Sequence, residues 1–189
     1  MNTRNLITAF FMILIGTSCS NAQDYNNPTI KTIHERTSVR EYSTQEVESE
    51  TLIQLVKAGM AAPTAMNKQP WEFVIVTDRE ILNRLGETKP PVKKAQAAIV
   101  VLGNTQTSTS WVIDCSAATQ NILLAATSLG LGTVWTGAHG NAKFEQEIIE
   151  ALSLPENIMP LNVIAIGYPI DTPQPKDKFV ESKIHYNKF

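Results

Sequence analysis

Hydrophobic positions along the chain recur with two periods, one typical of helices and one typical of strands. Leu52, Ile53, Leu55 and Val56 recur at the spacing of one helix face, and Gly59 can end that helix. Between the helical segments, short β-branched and aromatic runs are typical of buried strands. The predicted helices cover about 28–36, 48–59, 79–85, 111–129 and 142–152, and the predicted strands cover 72–77, 97–102, 133–136 and 161–166.

The order of these elements, with strands and helices alternating, predicts a three-layer α/β domain or a close α+β relative. On the first helix, we expect Ile30 and Ile33 to face inward. Residues 89–94, which contain two prolines, interrupt the pattern, and residues 180–186 are expected to be extended. Residues 61–71, termed the proline loop, are also expected to be extended rather than helical.

Residues 1–22 have the layout of a secretory signal, with one Arg, an apolar run and a small polar end. The apolar run, residues 6–16, is too short to span a bilayer. Two processing outcomes compete. Residues 20–22 fit the small-x-small pattern for cleavage, whereas residues 16–19 resemble a loose lipobox that would leave Cys19 lipidated. Both predict export across the inner membrane, as a periplasmic protein or a membrane-anchored lipoprotein.

The remaining residues, 23–189, are long enough for a single domain with a substantial core. The 189-residue chain has a formal net charge of -2 and no basic run, which argues against nucleic-acid binding. Cys115 would be the sole thiol after signal removal, and a small buried apolar role is favoured over a reactive one. Hydrolase and P-loop motifs are missing, and His34, His139 and His185 lack metal-ligand spacing.

A candidate anion site lies near the start of the domain, at Arg36, Ser38 and Arg40. These residues and the two between them are termed the grip segment. Four positions apart, the two arginines would share a helix face and repel each other unless an anion lies between them. Their N–H groups and the Ser38 hydroxyl suit phosphate or carboxylate oxygens. The alternative is a solvated basic patch that Glu35 and Glu41 already neutralise.

Other separated polar groups are candidates for the same site. Thr64 and Asn67 lie in the proline loop, and Lys176 and Lys178 lie near the C-terminus. One residue apart on an extended segment, the two lysines point the same way and can hold one anion together with Arg36. Solvated surface is the alternative for these lysines.

Five motifs in a fixed order resemble the FMN-dependent nitroreductase family. The resemblance covers about residues 28–189, and the order of the motifs is more specific than any one of them. The motifs are Arg-x-Ser-x-Arg at 36–40, Ala-Pro-Thr-Ala-Met-Asn-Lys-Gln-Pro-Trp at 62–71, Ala-Ala-Thr-Gln-Asn-Ile-Leu-Leu-Ala-Ala at 117–126, Leu-Gly-Leu-Gly-Thr-Val-Trp-Thr-Gly at 129–137, and Ile-Gly-Tyr-Pro at 166–169 followed by Pro-Lys-Asp-Lys at 175–178.

The resemblance implies an α+β, nitroreductase-like three-layer α-β-α sandwich that forms an intertwined homodimer with C-terminal arm exchange. One FMN would lie in each of two pockets at the subunit interface. Arg36, Ser38, Lys176 and Lys178 would hold the ribityl phosphate, and Arg40 would lie near the pyrimidine edge of the flavin. The further contacts it implies are Pro63, Thr64, Ala65 and Asn67 from the partner subunit, and the backbone of Thr136 and Gly137 at flavin N5 and O4.

The implied reaction is a ping-pong transfer of two electrons from NAD(P)H to a nitroarene, a quinone or another electron-poor small molecule. No catalytic side chain is required, since the chemistry occurs on FMN and Arg40 tunes its charge. The short region 77–111 leaves little room for a substrate lid, and neither Lys93 nor Lys94 can be assigned a flavin contact. Thr136 replaces a residue that is acidic in some relatives.

Two other functions fit the same sequence. One is a noncatalytic exported protein with the same fold that binds or stores flavin or another anion. The other is a colourless structural or interaction domain whose charged groups are all solvated. Bound flavin that a donor reduces and an acceptor reoxidises would distinguish the enzyme from both.

Overall fold

A computed structural model describes residues 26–171 and 173–189 of the chain. The predicted signal, its cleavage sites and Cys19 lie outside the described residues. No helix in the described ranges is long and apolar enough to cross a membrane. The helices are α1 (Pro28–Glu35), α2 (Ser49–Met60), α3 (Arg79–Leu85), α4 (Pro90–Lys94), α5 (Trp111–Ser128) and α6 (Ala142–Leu152), and the strands are β1 (Trp71–Val76), β2 (Ala97–Asn104), β3 (Gly132–Gly137) and β4 (Ile158–Gly167).

The four strands form one sheet in the order β1-β2-β4-β3, and every neighbouring pair is antiparallel. β1 and β3 are therefore the edge strands of this sheet. β2 and β4 between them consist almost entirely of buried residues, as expected for strands covered on both faces.

Helices cover both faces of the sheet. On one face, α3, α4 and α6 enclose a core that includes Val100, Phe144 and Ile148. On the other face, α2 and α5 pack against a second core that includes Ile99 and Ile122. The antiparallel sheet between two helical layers confirms the predicted α+β, three-layer α-β-α sandwich.

One short helix was not predicted, and two local expectations were wrong. Residues 89–94 contain a short helix, α4, because Pro90 and Pro91 occupy its first positions, where a missing N–H costs no helical hydrogen bond. Residues 180–186 are not a strand; a 3₁₀ turn at Glu181–Lys183 lies within an exposed segment. Ile30 and Ile33 are 41% and 44% exposed, because no element within residues 26–171 and 173–189 buries that face of α1.

Candidate functional site

The grip segment follows α1 in an extended conformation. Helix α1 ends at Glu35, and Arg36 caps it with an N–H bond to the Thr32 carbonyl oxygen (3.0 Å). Ser38 forms a parallel bridge with Thr133 of β3. The expected shared helix face was therefore wrong. Because side chains alternate along extended backbone, Arg36, Ser38 and Arg40 still lie on one side, opposite the buried Val39.

Two buried side chains fasten this segment to the sheet. Val39 donates its N–H to the Thr133 carbonyl oxygen (2.9 Å), and Tyr42 donates its hydroxyl to the Val39 carbonyl oxygen (2.7 Å). Both side chains lie on glycines. A Cβ at Gly132 would come within 2.7 Å of Val39, and one at Gly167 would come within 2.9 Å of Tyr42. Burial raises the pKa of Tyr42 well above its usual value, so its hydroxyl remains a donor.

The acidic neighbours of the grip segment are paired with other cations. Glu35 forms an ion pair with Lys31, one helical turn earlier (3.7 Å). Glu41 forms an ion pair with Lys94, the last residue of α4. In the structure, therefore, Glu35 and Glu41 do not neutralise the two arginines.

The cations of the grip segment have few partners of their own. Arg40 donates one guanidinium bond to the Ser38 carbonyl oxygen (3.3 Å), and it lies on the surface. Over residues 26–171 and 173–189, neither Arg36 nor Arg40 forms an ion pair. Two guanidinium groups and a hydroxyl are thus held on one side of a fixed backbone, an arrangement suited to an anion.

The edge of β3 that does not pair with β4 contacts the grip segment at Thr133 and extends beyond it along the strand. The Thr133 carbonyl points away from β4, since it accepts the Val39 N–H. Alternate residues of an antiparallel strand direct their backbone groups to the same edge, so those of Trp135 and Gly137 share this direction. Gly137 lies about 13 Å along the strand from Thr133, at roughly 3.3 Å per residue.

Thr136 faces the opposite way from Gly137. Its backbone pairs with Val163 of β4, and its buried hydroxyl donates to the Val163 carbonyl oxygen (2.6 Å). The geometry therefore favours the Gly137 N–H over that of Thr136 as the donor presented at the sheet edge. The absence of a side chain at Gly137 leaves open space beside its Cα atom.

The proline loop was expected to be extended, and this was wrong: the loop contains a 3₁₀ turn at Ala65–Asn67, and its backbone is unusual. Met66, Asn67 and Gln69 all adopt positive φ values, of 52°, 53° and 50°. The Thr64 hydroxyl oxygen accepts the Gln69 N–H (3.0 Å), which closes the loop on itself. Left-handed conformations at non-glycine residues are uncommon, and three within four residues indicate a loop whose shape is held by its contacts.

A buried carboxylate connects this loop to α5. Asp114 Oδ1 accepts the Ala65 N–H at 2.9 Å, and Asp114 is only 4% exposed. Thr64 and Ala65 are half-buried, whereas Pro63 and Asn67 are exposed. Sequence analysis assigned Asp114 no role in the site. An acid in the first turn of an apolar helix is the signal that could have identified it.

Within one chain, the proline loop and the grip segment lie at diagonally opposite corners of the sheet. The loop enters β1 at Trp71, which lies level with Met159 through Gly103 of β2. Thr133, beside the grip segment, lies level with Ile166. Three strand spacings give about 14 Å across the sheet and seven residues give about 23 Å along it, so the corners are roughly 27 Å apart.

The C-terminal segment starts beside the grip segment. Pro169 forms a bridge with Tyr42, and Ile170 donates its N–H to the Glu41 carbonyl oxygen (3.3 Å). Lys176 and Lys178 follow within residues 173–189, all of which are exposed. In the described ranges, neither lysine forms an ion pair or a hydrogen bond with the grip segment, so their contact with Arg36 remains a prediction.

Comparison with known proteins identifies similar chains across most of the sequence. A family model described as the nitroreductase family matches residues 33–99 and 88–168. A protein of Archaeoglobus fulgidus, provisionally named NADH dehydrogenase/NAD(P)H nitroreductase, is 40% identical over 170 residues, which are 85% of this chain and 98% of that protein.

Two solved structures extend this similarity to the fold. A similarly named Parabacteroides distasonis protein is 46% identical, with a TM-score of 0.84 over 86% of this chain and 99% of that one. An FMN-dependent nitroreductase from Clostridium difficile R20291 is 30% identical, with a TM-score of 0.81 over 85% of this chain and 99% of that one.

Proposed function

Because the chain belongs to the nitroreductase family, we propose that it is an FMN-dependent oxidoreductase that uses NAD(P)H. It transfers two electrons by a ping-pong reaction to nitroaromatic, quinone or similar electron-poor small molecules. Relatives named as FMN reductase and NADPH-flavin oxidoreductase support this proposal.

The observation that carries the proposal is the grip segment, whose arginines lack acidic partners in the described part of the chain and whose backbone is fixed. Arg36 and Ser38 present donors beside Thr133, and the Gly137 N–H is presented further along the same strand edge. A phosphate at one end and a flavin ring at the other suit this spacing. The residues present therefore fit FMN.

When bound, FMN supplies the two-electron chemistry between NAD(P)H and the acceptor. Arg36 and Ser38, joined by Lys176 and Lys178, bind its phosphate through charge-assisted hydrogen bonds. Gly137 orients the ring through its backbone N–H, with Thr136 behind it in the strand. Arg40 would provide a positive charge near the pyrimidine edge, and a cation there would stabilise the negative charge that develops on reduction.

We infer that the working unit is an intertwined homodimer with C-terminal arm exchange. All of residues 173–189 are exposed, including Phe179 at 71% and Tyr186 at 85%. Ile113 of α5 and the two isoleucines of α1 are also exposed in a single chain. Large apolar side chains exposed on several elements of one chain are typical of a subunit interface.

The same dimer would complete each cofactor site with Pro63, Thr64, Ala65 and Asn67 from the partner subunit. The separation of roughly 27 Å between the grip segment and the proline loop of one chain supports this arrangement. A single flavin nucleotide that contacts both must receive them from different subunits.

We also propose that the protein is exported, on the basis of the predicted signal alone. The mature form would be periplasmic or anchored to the membrane through a lipidated Cys19. Intact mass measurement of the processed protein distinguishes these outcomes, because lipidation at Cys19 and cleavage after residue 22 leave different N-termini.

The experiment that tests the enzymatic function is an anaerobic titration of the purified protein with NADPH, followed by absorbance. We expect a yellow protein whose flavin absorbance is lost on titration and returns when a nitroarene is added. A yellow protein that no donor reduces would support the noncatalytic flavin-binding alternative. A protein without FMN even after incubation with it would contradict the proposal.

A further inference from the structure

The proline loop stores backbone strain next to a proposed cofactor contact. Met66, Asn67 and Gln69 are all left-handed, and none is a glycine. Each such conformation is strained and persists only where surrounding contacts determine it. The loop therefore depends on specific contacts for its shape.

Several hydrogen bonds lie within the loop. Gln69 donates its backbone N–H to the Thr64 hydroxyl oxygen (3.0 Å). Its side-chain amide N–H donates to Oδ1 of Asn67 (2.9 Å). The Asn67 N–H bonds to the Thr64 backbone carbonyl (3.0 Å). These bonds fix the internal shape of the loop, but they do not set its position relative to the rest of the protein.

Asp114 provides a contact that does set this position. Its Oδ1 atom accepts the Ala65 N–H at 2.9 Å, and its Oδ2 atom accepts the Ser108 hydroxyl at 3.3 Å. Asp114 lies in the first turn of α5, where the helix N-terminus favours a negative charge. A buried carboxylate bonded to a backbone N–H is a strong, directional contact between a loop and a rigid helix.

We propose that Asp114 is a positioning residue for the cofactor site of the partner subunit, acting through Ala65 and the proline loop. The inference rests on the proposed function, in which the loop of one subunit contacts the FMN held by the grip segment of the other. Asp114 does not itself touch the cofactor. It holds the strained loop in the position from which Thr64, Ala65 and Asn67 contact the FMN of the other subunit.

Single variants separate this role from a general contribution to folding. Asp114→Ala removes the bond to Ala65, and we expect the dissociation constant for FMN to rise about 10- to 100-fold. Asp114→Asn keeps an oxygen acceptor and is expected to restore affinity to within about threefold of the parent protein. Ser108→Ala is the matched control, because it removes the other bond to the same carboxylate and should leave FMN affinity nearly unchanged.

A second route removes the same hydrogen bond without changing Asp114. Ala65→Pro deletes the donor N–H, and the extended conformation of Thr64 before it is compatible with proline. We expect this variant to weaken FMN binding as Asp114→Ala does. If Asp114→Ala does not fold, Ala65→Pro takes its place in the experiment that follows.

The decisive experiment is a full-length heterodimer in which one chain carries Arg36→Ala and the other carries Asp114→Ala. The two chains bear different tags, are purified in tandem and are titrated with FMN. If Asp114 acts on the partner's site, both changes fall on one site and the other site is unaltered. We expect one tight FMN site per heterodimer, against two in the parent dimer.

The other outcomes are also decisive. A heterodimer with no tight site would show that Asp114 serves the site of its own chain, which overturns the proposal. Two tight sites would show that neither change weakens FMN binding. Because an Asp114 with no role would also leave one tight site, the count supports the proposal only together with weakened FMN binding in the Asp114→Ala homodimer. Parent-like FMN affinity in that homodimer would overturn the proposal. The Arg36→Ala homodimer tests the proposed function separately, since tight FMN binding by that variant would contradict the phosphate assignment whatever Asp114 does. A monomer that binds FMN would overturn only the action across subunits.

Discussion

The grip segment and the proline loop are both predicted to contact one cofactor, yet they are made rigid in different ways. The grip segment is held by burial, because Val39 and Tyr42 pack onto two glycines of the sheet. The proline loop is largely exposed and strained, and it is connected to α5 through the single buried acid Asp114. A packed anchor resists displacement along its whole contact, whereas a strained loop depends on a few directional bonds.

The largest effect is expected from filling the space under the grip segment. In Gly132→Ala, the new Cβ would clash with Val39, and overpacking of this kind lowers the free energy of unfolding by about 1–3 kcal/mol. The displaced grip segment should also bind FMN more weakly. Denaturant unfolding and FMN titration measure the two effects.

A double variant provides the control for this clash. Val39→Ala makes room for the added methyl group, so the loss in Gly132→Ala/Val39→Ala should be smaller than the sum of the two single losses. Strictly additive losses would mean that the close approach of these residues does not determine the position of the grip segment.

A smaller and more selective effect is expected when a charge is removed without disturbing the packing. Arg36→Ala should weaken FMN binding about 10- to 100-fold, because charge-assisted hydrogen bonds contribute about 1.5–3 kcal/mol. Its free energy of unfolding without FMN should change by less than about 0.5 kcal/mol. Arg84→Ala, which alters an exposed arginine paired with Glu150 far from the grip segment, is the control. Equal FMN affinity in the Arg36→Ala and parent proteins would contradict the phosphate assignment.

The Tyr42 hydroxyl predicts a pH dependence for the packed anchor. Its folded-state pKa lies above the ordinary value of 10.0 because burial disfavours the charged form, so its stabilisation is complete below pH 10 and is lost as the pH rises further. Tyr42→Phe should cost about 1 kcal/mol at neutral pH through the lost bond to Val39. It should also reduce the decline in the free energy of unfolding above pH 10.

This pH measurement needs a background without the buried Cys115 thiol, which also titrates at alkaline pH. Burial raises the pKa of the Cys115 thiol to about 12 from 9.0, and this thiol therefore also loses its stabilising effect as the pH rises from 9. The comparison is made in Cys115→Ala chains. An equal alkaline decline with Tyr and Phe at position 42 would exclude the hydroxyl as its source.

The smallest effect is expected at the exposed ion pair beside the grip segment. Lys94 holds Glu41, and without it this carboxylate is free to approach Arg40. Exposed pairs contribute about 0.2–1 kcal/mol, so Lys94→Ala should weaken FMN binding by no more than about fivefold, and less at high salt. Lys143→Ala removes a comparable pair with Glu147 on α6 and should have no effect. An unchanged FMN affinity in Lys94→Ala would mean that the ion pair with Lys94 is not needed to keep Glu41 away from the cofactor site.

Local pattern was sufficient to predict much of the fold. The apolar spacing of α2 and the β-branched runs of the four strands identified these elements, since burial on one face or both faces dictates those periods. The pairing order β1-β2-β4-β3 could not be read in the same way, because it depends on contacts between distant residues. The exposed face of α1 was missed for a related reason, since its isoleucines are not covered within one chain.

At the site, sequence analysis identified the charged residues, but it did not predict the backbone conformation that holds them. Arg36, Ser38 and Arg40 were recognised, but their extended conformation arises from pairing with Thr133, almost a hundred residues later. Sequence analysis did not single out Asp114. Its contact with Ala65 joins distant parts of the chain, which no local pattern reports.

The central claim is that cations of the grip segment and a proline loop from a second subunit enclose one FMN. Sedimentation of the purified FMN-loaded protein, followed at both flavin and protein wavelengths, tests this most directly. The account predicts that flavin and protein sediment together as a dimer with one FMN per chain. A monomer that carries FMN, or a dimer from which all the flavin separates, would contradict it.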